Sequence, residues 1–475
     1  MAMKKTFFIL LAVLAVWAMP LGCGKPDTPA PEPEPEKEEQ EPEKEDPEQE
    51  PEVLQDLTFT VVVEGDCIFS GKPTYVMQVE NPNGKEVEAS ILARITSDLK
   101  KTVATVEFTE KIPANGTKDV TITTQETLEP GFYKASSFVN KKASYHFNFG
   151  IDPYDIKSDP DYQEDFHQFW EDAKAQLPDI VPEEVYMYEI ASKSNANCKV
   201  YFVELASVPD GPEGEPVLVH GYYLEPQDGQ KHPVLMHFYG YDTLGSTAKV
   251  SCPSGDGKYA EFYLSHRGQY LNRTTADKRE PDGKGDFENI YGDWFAFNFG
   301  YKEGYYYRGA FMDCVQAVNF MATRSTSDMG NLFAEGSSQG GALSYAVAAL
   351  SDYPFTAIAP CVAFLGDYPD YFKIVDWPAN VAKSSAQKLG LSDEEMYRFL
   401  SYFDTKNLAT LIPAGTAVMG CSGLMDGTCP PHTNIAPFNN LATQDKEYYF
   451  YPKMQHTIPG DWNSKMSKFF KNRIK

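Results

Sequence analysis

From Asp152 to the C-terminus the chain alternates β-like and helical stretches, and that alternation restricts it to a sheet covered by helices. Strand candidates fall at residues 216–224, 233–239, 332–334, 356–362, 416–421 and 448–451. A helix is predicted over 162–177. In a second, Phe311, Cys314, Val315 and Val318 repeat at i, i+3, i+4 and i+7, one helical face. Strands separated by helices predict a mostly parallel, doubly wound α/β sheet over residues 151–475.

The texture before Asp152 is different. Residues 55–150 show period-two alternation, as in Leu57-Thr58-Phe59-Thr60-Val61-Val62-Val63. Turn signals such as Asn81-Pro82-Asn83-Gly84 and Glu129-Pro130-Gly131 break it at short intervals. This pattern predicts a small all-β, immunoglobulin-like sandwich. It carries no constellation of titratable groups, so a spacer or docking domain is the expectation, with a carbohydrate-binding module as the alternative. Residues 24–54 are almost wholly Pro, Glu, Lys, Gln and Asp, and cannot bury enough apolar surface to fold. Alternating proline and like charge keep such a segment extended, as a disordered stalk.

The first 23 residues read as a targeting segment. Lys4 and Lys5 precede an apolar run over 7–19, shorter than the ~20 residues needed to span a bilayer. Leu21-Gly22-Cys23 resembles the lipobox of bacterial lipoproteins, in which the cysteine is acylated, although Pro20 replaces the usual Leu. Gly24 in place of Asp implies, by the same resemblance, sorting to the outer membrane, on its periplasmic or surface face. The membrane partner is then a lipid anchor alone. The net charge of −26 argues against nucleic acid as a partner, because phosphate binding needs clustered Lys and Arg. The seven cysteines beyond Cys23 are scattered and odd in number, which is unlike a disulfide framework. No CxxC pair or Cys/His cluster has zinc-like spacing, so no metal site is expected.

Chemistry is concentrated at Gly336-Ser337-Ser338-Gln339-Gly340, a GxSxG turn between a strand and an Ala-rich helix. A sharp strand-to-helix turn needs small neighbours and presents the serine hydroxyl at the carboxyl end of the sheet. The helix N-terminus beside it favours a developing oxyanion. Serine needs a base, and in this fold the order along the chain is serine, acid, histidine. Two histidines follow Ser338. His456 lies just after the last strand candidate, where a base must reach back, whereas His432 reads as a surface or capping residue at a helix start. Asp426 closes the strand-like 419–426 and is the candidate acid; Asp404 and Asp445 are less well placed. The oxyanion donors should be the backbone N–H groups of Gln339 and of Tyr241, in the loop after the 233–239 strand. This acyl-transfer chemistry needs no cofactor.

HFYGYD, Arg267-Gly268-Gln269, YYYRGAFMDCVQAV, GSSQGGALSYAVAAL, LSYFDTKNLA, GLMDGTCPPHT and the late His456 occur in register with the acetyl xylan esterase and cephalosporin C deacetylase family, and from about residue 150 onward the chain resembles it. The resemblance implies an α/β-hydrolase fold and removal of acetyl groups from acetylated oligosaccharides or other small acetyl esters. It implies Ser338, Asp426 and His456 as the triad, with the N–H groups of Tyr241 and Gln339 as the oxyanion hole. Two positions depart from the family: Asp242 stands where a small residue is usual, and Ala363 where a proline is. Both bear on substrate range. Family members often form hexameric rings, which an N-terminal domain and an anchor could obstruct, so oligomerisation stays open. The rival enzyme reading is a serine peptidase of prolyl oligopeptidase type, disfavoured by Gln339, where those enzymes usually carry Tyr. The non-enzymatic rival is a surface glycan-binding lipoprotein with a decayed site, disfavoured by an intact Ser, Asp and His.

Overall fold

The structure is a computed structural model of the chain and describes residues 53–271 and 289–475. The expected leader, Cys23 and the Pro/Glu-rich stalk lie outside the described residues. Leu54–Lys475 form one compact unit. Among the described residues, no helix is long and apolar enough to cross a membrane.

Eight strands come first: β1 (Thr58–Val62), β2 (Ile68–Phe69), β3 (Thr74–Asn81), β4 (Val87–Ser97), β5 (Thr102–Ile112), β6 (Gly116–Thr123), β7 (Gly131–Val139) and β8 (Ala143–Ile151). They form a three-stranded sheet, β1-β3-β6, and a five-stranded one, β2-β8-β7-β4-β5. The alternation read from the sequence is the burial pattern. Tyr75, Met77 and Val79 of β3 and Ala89, Ile91, Ala93 and Ile95 of β4 point inward. Each large side chain so buried contributes about 1.5–3 kcal/mol. The sandwich also packs on the larger domain, where Phe132 meets Phe450 at a ring separation of 6.0 Å.

The second sheet comprises β9 (Tyr186–Glu189), β10 (Cys198–Ser207), β11 (Val217–Pro226), β12 (His232–Phe238), β13 (Ala260–Ser265), β14 (Ser327–Ser337), β15 (Ala357–Cys361), β16 (Ala417–Gly423) and β17 (Lys446–Tyr451). Its order is β17-β16-β15-β14-β12-β13-β11-β10-β9. The run from β13 through β12 to β17 is parallel, and β9, β10 and β11 pair antiparallel at one side. This is the expected α/β-hydrolase arrangement. The sequence pattern did not reveal β10 or β13, because Lys199, Glu204, Glu261 and Tyr263 interrupt the apolar runs that mark buried strands, nor β9, which is only four residues long.

The helices are α1 (Phe166–Lys174), α2 (Tyr306–Ala322), α3 (Gln339–Leu350), α4 (Tyr368–Ile374), α5 (Ala379–Leu389), α6 (Asp393–Leu400), α7 (Thr405–Leu408), α8 (Pro431–Asn439) and α9 (Trp462–Lys471). The predicted 162–177 helix is shortened to α1, and Pro178 bars its continuation beyond Leu177. Helix α2 is buried on nearly every side, Arg308, Asp313 and Gln316 included. On the opposite face of the sheet, Trp462, Phe469 and Phe470 of α9 join Phe333, Met419 and Cys421 in one apolar cluster. The parallel pair β12 and β13 is joined by residues 239–259, which contain no helix. Parallel crossovers usually carry one.

Candidate active site

Strand β14 runs straight into α3 through Ser338, whose backbone is held at φ 57° and ψ −121°. A serine at positive φ is strained and persists only where its surroundings enforce it. Here the Ser338 N–H donates to the Cys361 carbonyl at 2.9 Å, and the Phe364 N–H donates to the Ser338 carbonyl at 3.0 Å. The turn is closed by a tight approach: a Cβ on Gly340 would lie 2.3 Å from the Phe238 carbonyl oxygen.

The structure brings Ser338, His456 and Asp426 together from three separate connections. His456 Nε2 is 3.0 Å from Ser338 Oγ, and His456 Nδ1 is 2.7 Å from Asp426 Oδ2. An ionised carboxylate only accepts, so the Nδ1 proton points at Asp426 and Nε2 is left to accept the serine proton. The Asp426 side chain is fully buried, and its other oxygen accepts the N–H groups of Thr428 and Cys429 at 2.9 and 2.8 Å. The imidazole is orientated from behind and about a quarter exposed in front.

The rejected alternatives sit elsewhere. Asp404 is buried and accepts the N–H groups of Asp367, Tyr368 and Lys406. Asp445 pairs with Arg473 at the surface. His432 begins α8 but is not a surface cap. Its Nε2 lies 3.0 Å from Asp367 and 3.4 Å from Asp370, and its Nδ1 lies 3.8 Å from Asp98 of the sandwich. Burial pulls this imidazole toward neutrality, but hydrogen bonds to Asp367 and Asp370 outweigh it and push the pKa up to about 9. Asp367, Asp370 and His432 place ligand-type atoms within 4.8 Å of one another. The Lys406 ammonium, 3.1 Å from Asp367, makes the group an ion-pair cluster.

Among the described residues, neither the N–H of Tyr241 nor that of Gln339 has an acceptor, which leaves both available to an incoming oxygen. Each residue is fixed by its side chain. The Tyr241 hydroxyl donates to Asp293 at 2.8 Å, and its ring packs on Trp294 and Trp377 at 4.9 and 5.2 Å. The Gln339 amide oxygen accepts from Tyr307 at 2.9 Å, and its NH2 donates to His266 Nε2 at 3.0 Å. Burial drops the His266 pKa to about 4, so the ring is neutral and its Nε2 can accept. Next along the chain, buried Arg267 grips Asp313 with two hydrogen bonds, at 3.0 and 2.7 Å. His266, Tyr307 and Asp313 were not singled out from the sequence. Tyr307 and Asp313 fall inside the quoted YYYRGAFMDCVQAV segment, and His266 directly precedes Arg267.

The two departures have distinct settings. Asp242 is buried and accepts the N–H groups of Thr247 and Ala248 at 2.6 and 2.7 Å and of Leu244 at 3.2 Å. Burial raises its pKa, but these N–H groups more than compensate and hold it at about 2. Its charge is spent on folding the 242–248 loop. Ala363 is buried against Gly341 in α3.

The acetyl xylan esterase (AXE1) family model matches residues 152–473. Acetyl esterase Axe7A of Xylanibacter ruminicola is 23% identical over 351 residues, which cover 73% of this chain and 75% of that protein. The structure of an acetyl xylan esterase from Paenibacillus sp. R4 superposes with a TM-score of 0.54 at 25% identity, over 68% of this chain and 98% of that one. Acetyl xylan esterase 1 from Thermoanaerobacterium sp. JW/SL YS485 superposes with a TM-score of 0.51 at 23% identity, over 67% and 96%.

Proposed function

Because the chain belongs to the acetyl xylan esterase family, we propose that it removes acetyl groups from acetylated sugars or xylo-oligosaccharides through a Ser338–His456–Asp426 acyl-enzyme mechanism. The observation that carries this reading is the hydrogen-bond chain from Ser338 Oγ through both nitrogens of His456 to Asp426, set on a strained strand-to-helix turn. His456 accepts the serine proton as Oγ attacks the ester carbonyl, and Asp426 holds the ring and stabilises the imidazolium. The N–H groups of Tyr241 and Gln339 receive the oxyanion at the N-terminus of α3. The imidazolium then protonates the departing sugar alcohol. Water repeats the sequence on the acetyl-enzyme, releasing acetate and restoring the serine.

The test is acetate release across acetylated xylo-oligosaccharides, other acetyl sugars and longer acyl esters, run beside Ser338→Ala. We expect the acetyl sugars to be preferred and the variant to lose several orders of magnitude in turnover. Near-native acetate release by the variant would remove Ser338 from the mechanism. The charged n-region, short apolar run and Leu21-Gly22-Cys23 support export and lipid anchoring at Cys23. Labelling with a radioactive fatty acid, abolished in Cys23→Ala, tests that part.

A further inference from the structure

The central strands carry polar groups where a doubly wound sheet is normally apolar on both faces. His237 of β12 lies between two carboxylates, with Nδ1 2.7 Å from Glu335 of β14 and Nε2 2.9 Å from Glu261 of β13. Its ring stacks on Tyr263 at 3.9 Å, and the Tyr263 hydroxyl donates to Glu261 at 2.8 Å. No step of the proposed acyl transfer uses this row. It is reachable because the 239–259 crossover has no helix, and the loop that replaces it is hung on the buried Asp242 carboxylate. What remains is a recess of about 300 Å³ whose lining includes His237, Tyr239, Thr247, Tyr263 and Glu335. That is the lower end of the range for small-molecule sites, about 300–1,000 Å³.

The recess adjoins the nucleophile turn. Ser337, Gly240 and Ile458 also line it, neighbours of the nucleophile, of Tyr241 and of His456. A Cβ on Gly240 would lie 3.7 Å from the Ser338 Cβ. We propose that this recess is a glycosyl subsite, which holds an uncharged, hydroxyl-rich sugar unit of the substrate beside the ester being cleaved. The proposal rests on the deacetylase reading. Its chemistry is that of sugar binding: the Glu335 carboxylate to accept from hydroxyls, tyrosine rings, and the ammonium of Lys249, which also lines the recess, to donate, while both N–H groups of His237 are engaged by Glu335 and Glu261. Two carboxylates matched by two cations favour a neutral ring over a uronate or an amino sugar.

The experiment compares kcat/KM for an acetylated xylo-oligosaccharide and for p-nitrophenyl acetate, which has no sugar, in the full-length enzyme and two variants. Glu335→Gln removes an acceptor, and Thr247→Trp fills the recess from its exposed rim without touching the core. We expect each variant to lose about ten-fold or more on the oligosaccharide while p-nitrophenyl acetate stays within about two-fold. Unsubstituted xylobiose should inhibit hydrolysis of p-nitrophenyl acetate by the unmodified enzyme, and inhibit the variants more weakly. Equal losses on both substrates, or no loss on either, would overturn the subsite, as would tighter inhibition by a charged sugar than by xylobiose. Failure of the unmodified enzyme to release acetate from any acetylated sugar would instead overturn the deacetylase reading.

Discussion

The side-chain amide of Asn148, on the last strand of the sandwich, donates a 2.6 Å hydrogen bond to the carbonyl of Leu424, on the connection that carries Asp426. The sandwich thereby holds one end of the loop from which the proposed catalytic acid projects. Asn148→Ala should cost about 0.5–1.5 kcal/mol of stability. It should also lower kcat for p-nitrophenyl acetate with little change in KM, because the carboxylate is less firmly placed. Thermal unfolding and steady-state kinetics on the same preparation check both effects.

Asp426 does not contact the ester; it sets the tautomer of His456. Asp426→Asn should fold, since Asn can still accept the Thr428 and Cys429 N–H groups. It would present an N–H or a weaker acceptor to Nδ1 and should lower kcat by about 10⁴-fold. A loss of less than about ten-fold would mean that another group orientates the base.

The His432 cluster predicts a pH dependence of stability. Its folded-state pKa of about 9 lies above the ordinary histidine value of 6.5. The stabilisation is therefore complete below about pH 6.5 and is lost as pH rises through about 9. His237 is raised to the same value by Glu261 and Glu335 against the opposing effect of burial, so it loses stabilisation in the same window. The unfolding midpoint should fall between pH 6.5 and 9. His432→Gln should cost about 3 kcal/mol at pH 6 and leave a shallower fall, due to His237.

Gly340 permits the closest backbone contact in the nucleophile turn. In Gly340→Ala the new methyl would meet the Phe238 carbonyl, and both partners are backbone, so neither can rotate away. The expected result is a loss of at least about 1–3 kcal/mol and of most esterase activity, as Ser338 is pushed off its position. Denaturant unfolding and acetate release measure the two.

The local order of Ser338, Asp426 and His456 was legible because a strand, a turn and a helix leave strong short-range marks, and because few histidines follow the serine. The parallel sheet was legible for the same reason along its apolar strands. Strand β13 escaped because Glu261, paired with His237, and Tyr263, which lines the recess, break its apolar pattern. His432 was misread for a related reason: the carboxylates that cage it come from Asp98, Asp367 and Asp370, and no local pattern encodes a contact across the two domains. The support of Gln339 by His266 and Tyr307 is likewise a long-range arrangement, visible only once α2 lies against α3.

A helix between β12 and β13 would have tied the shape of the recess to the packing of the sheet. A peptide arch suspended from Asp242 has no such tie. Its tip is exposed at Leu244 and Ser246, and the arch is held by the Asp242 carboxylate together with the side-chain amides of Gln269 and Asn289, which donate to the Ala248 and Thr243 carbonyls. Leu244 and Ser246 can be exchanged without disturbing the nucleophile turn on the neighbouring strand, whereas Gly245, at φ 63° and with the Tyr270 ring 2.4 Å from a would-be Cβ, is the fixed point between them. The arch is therefore where such an enzyme can acquire a new sugar preference while its hydrolytic machinery is inherited unchanged.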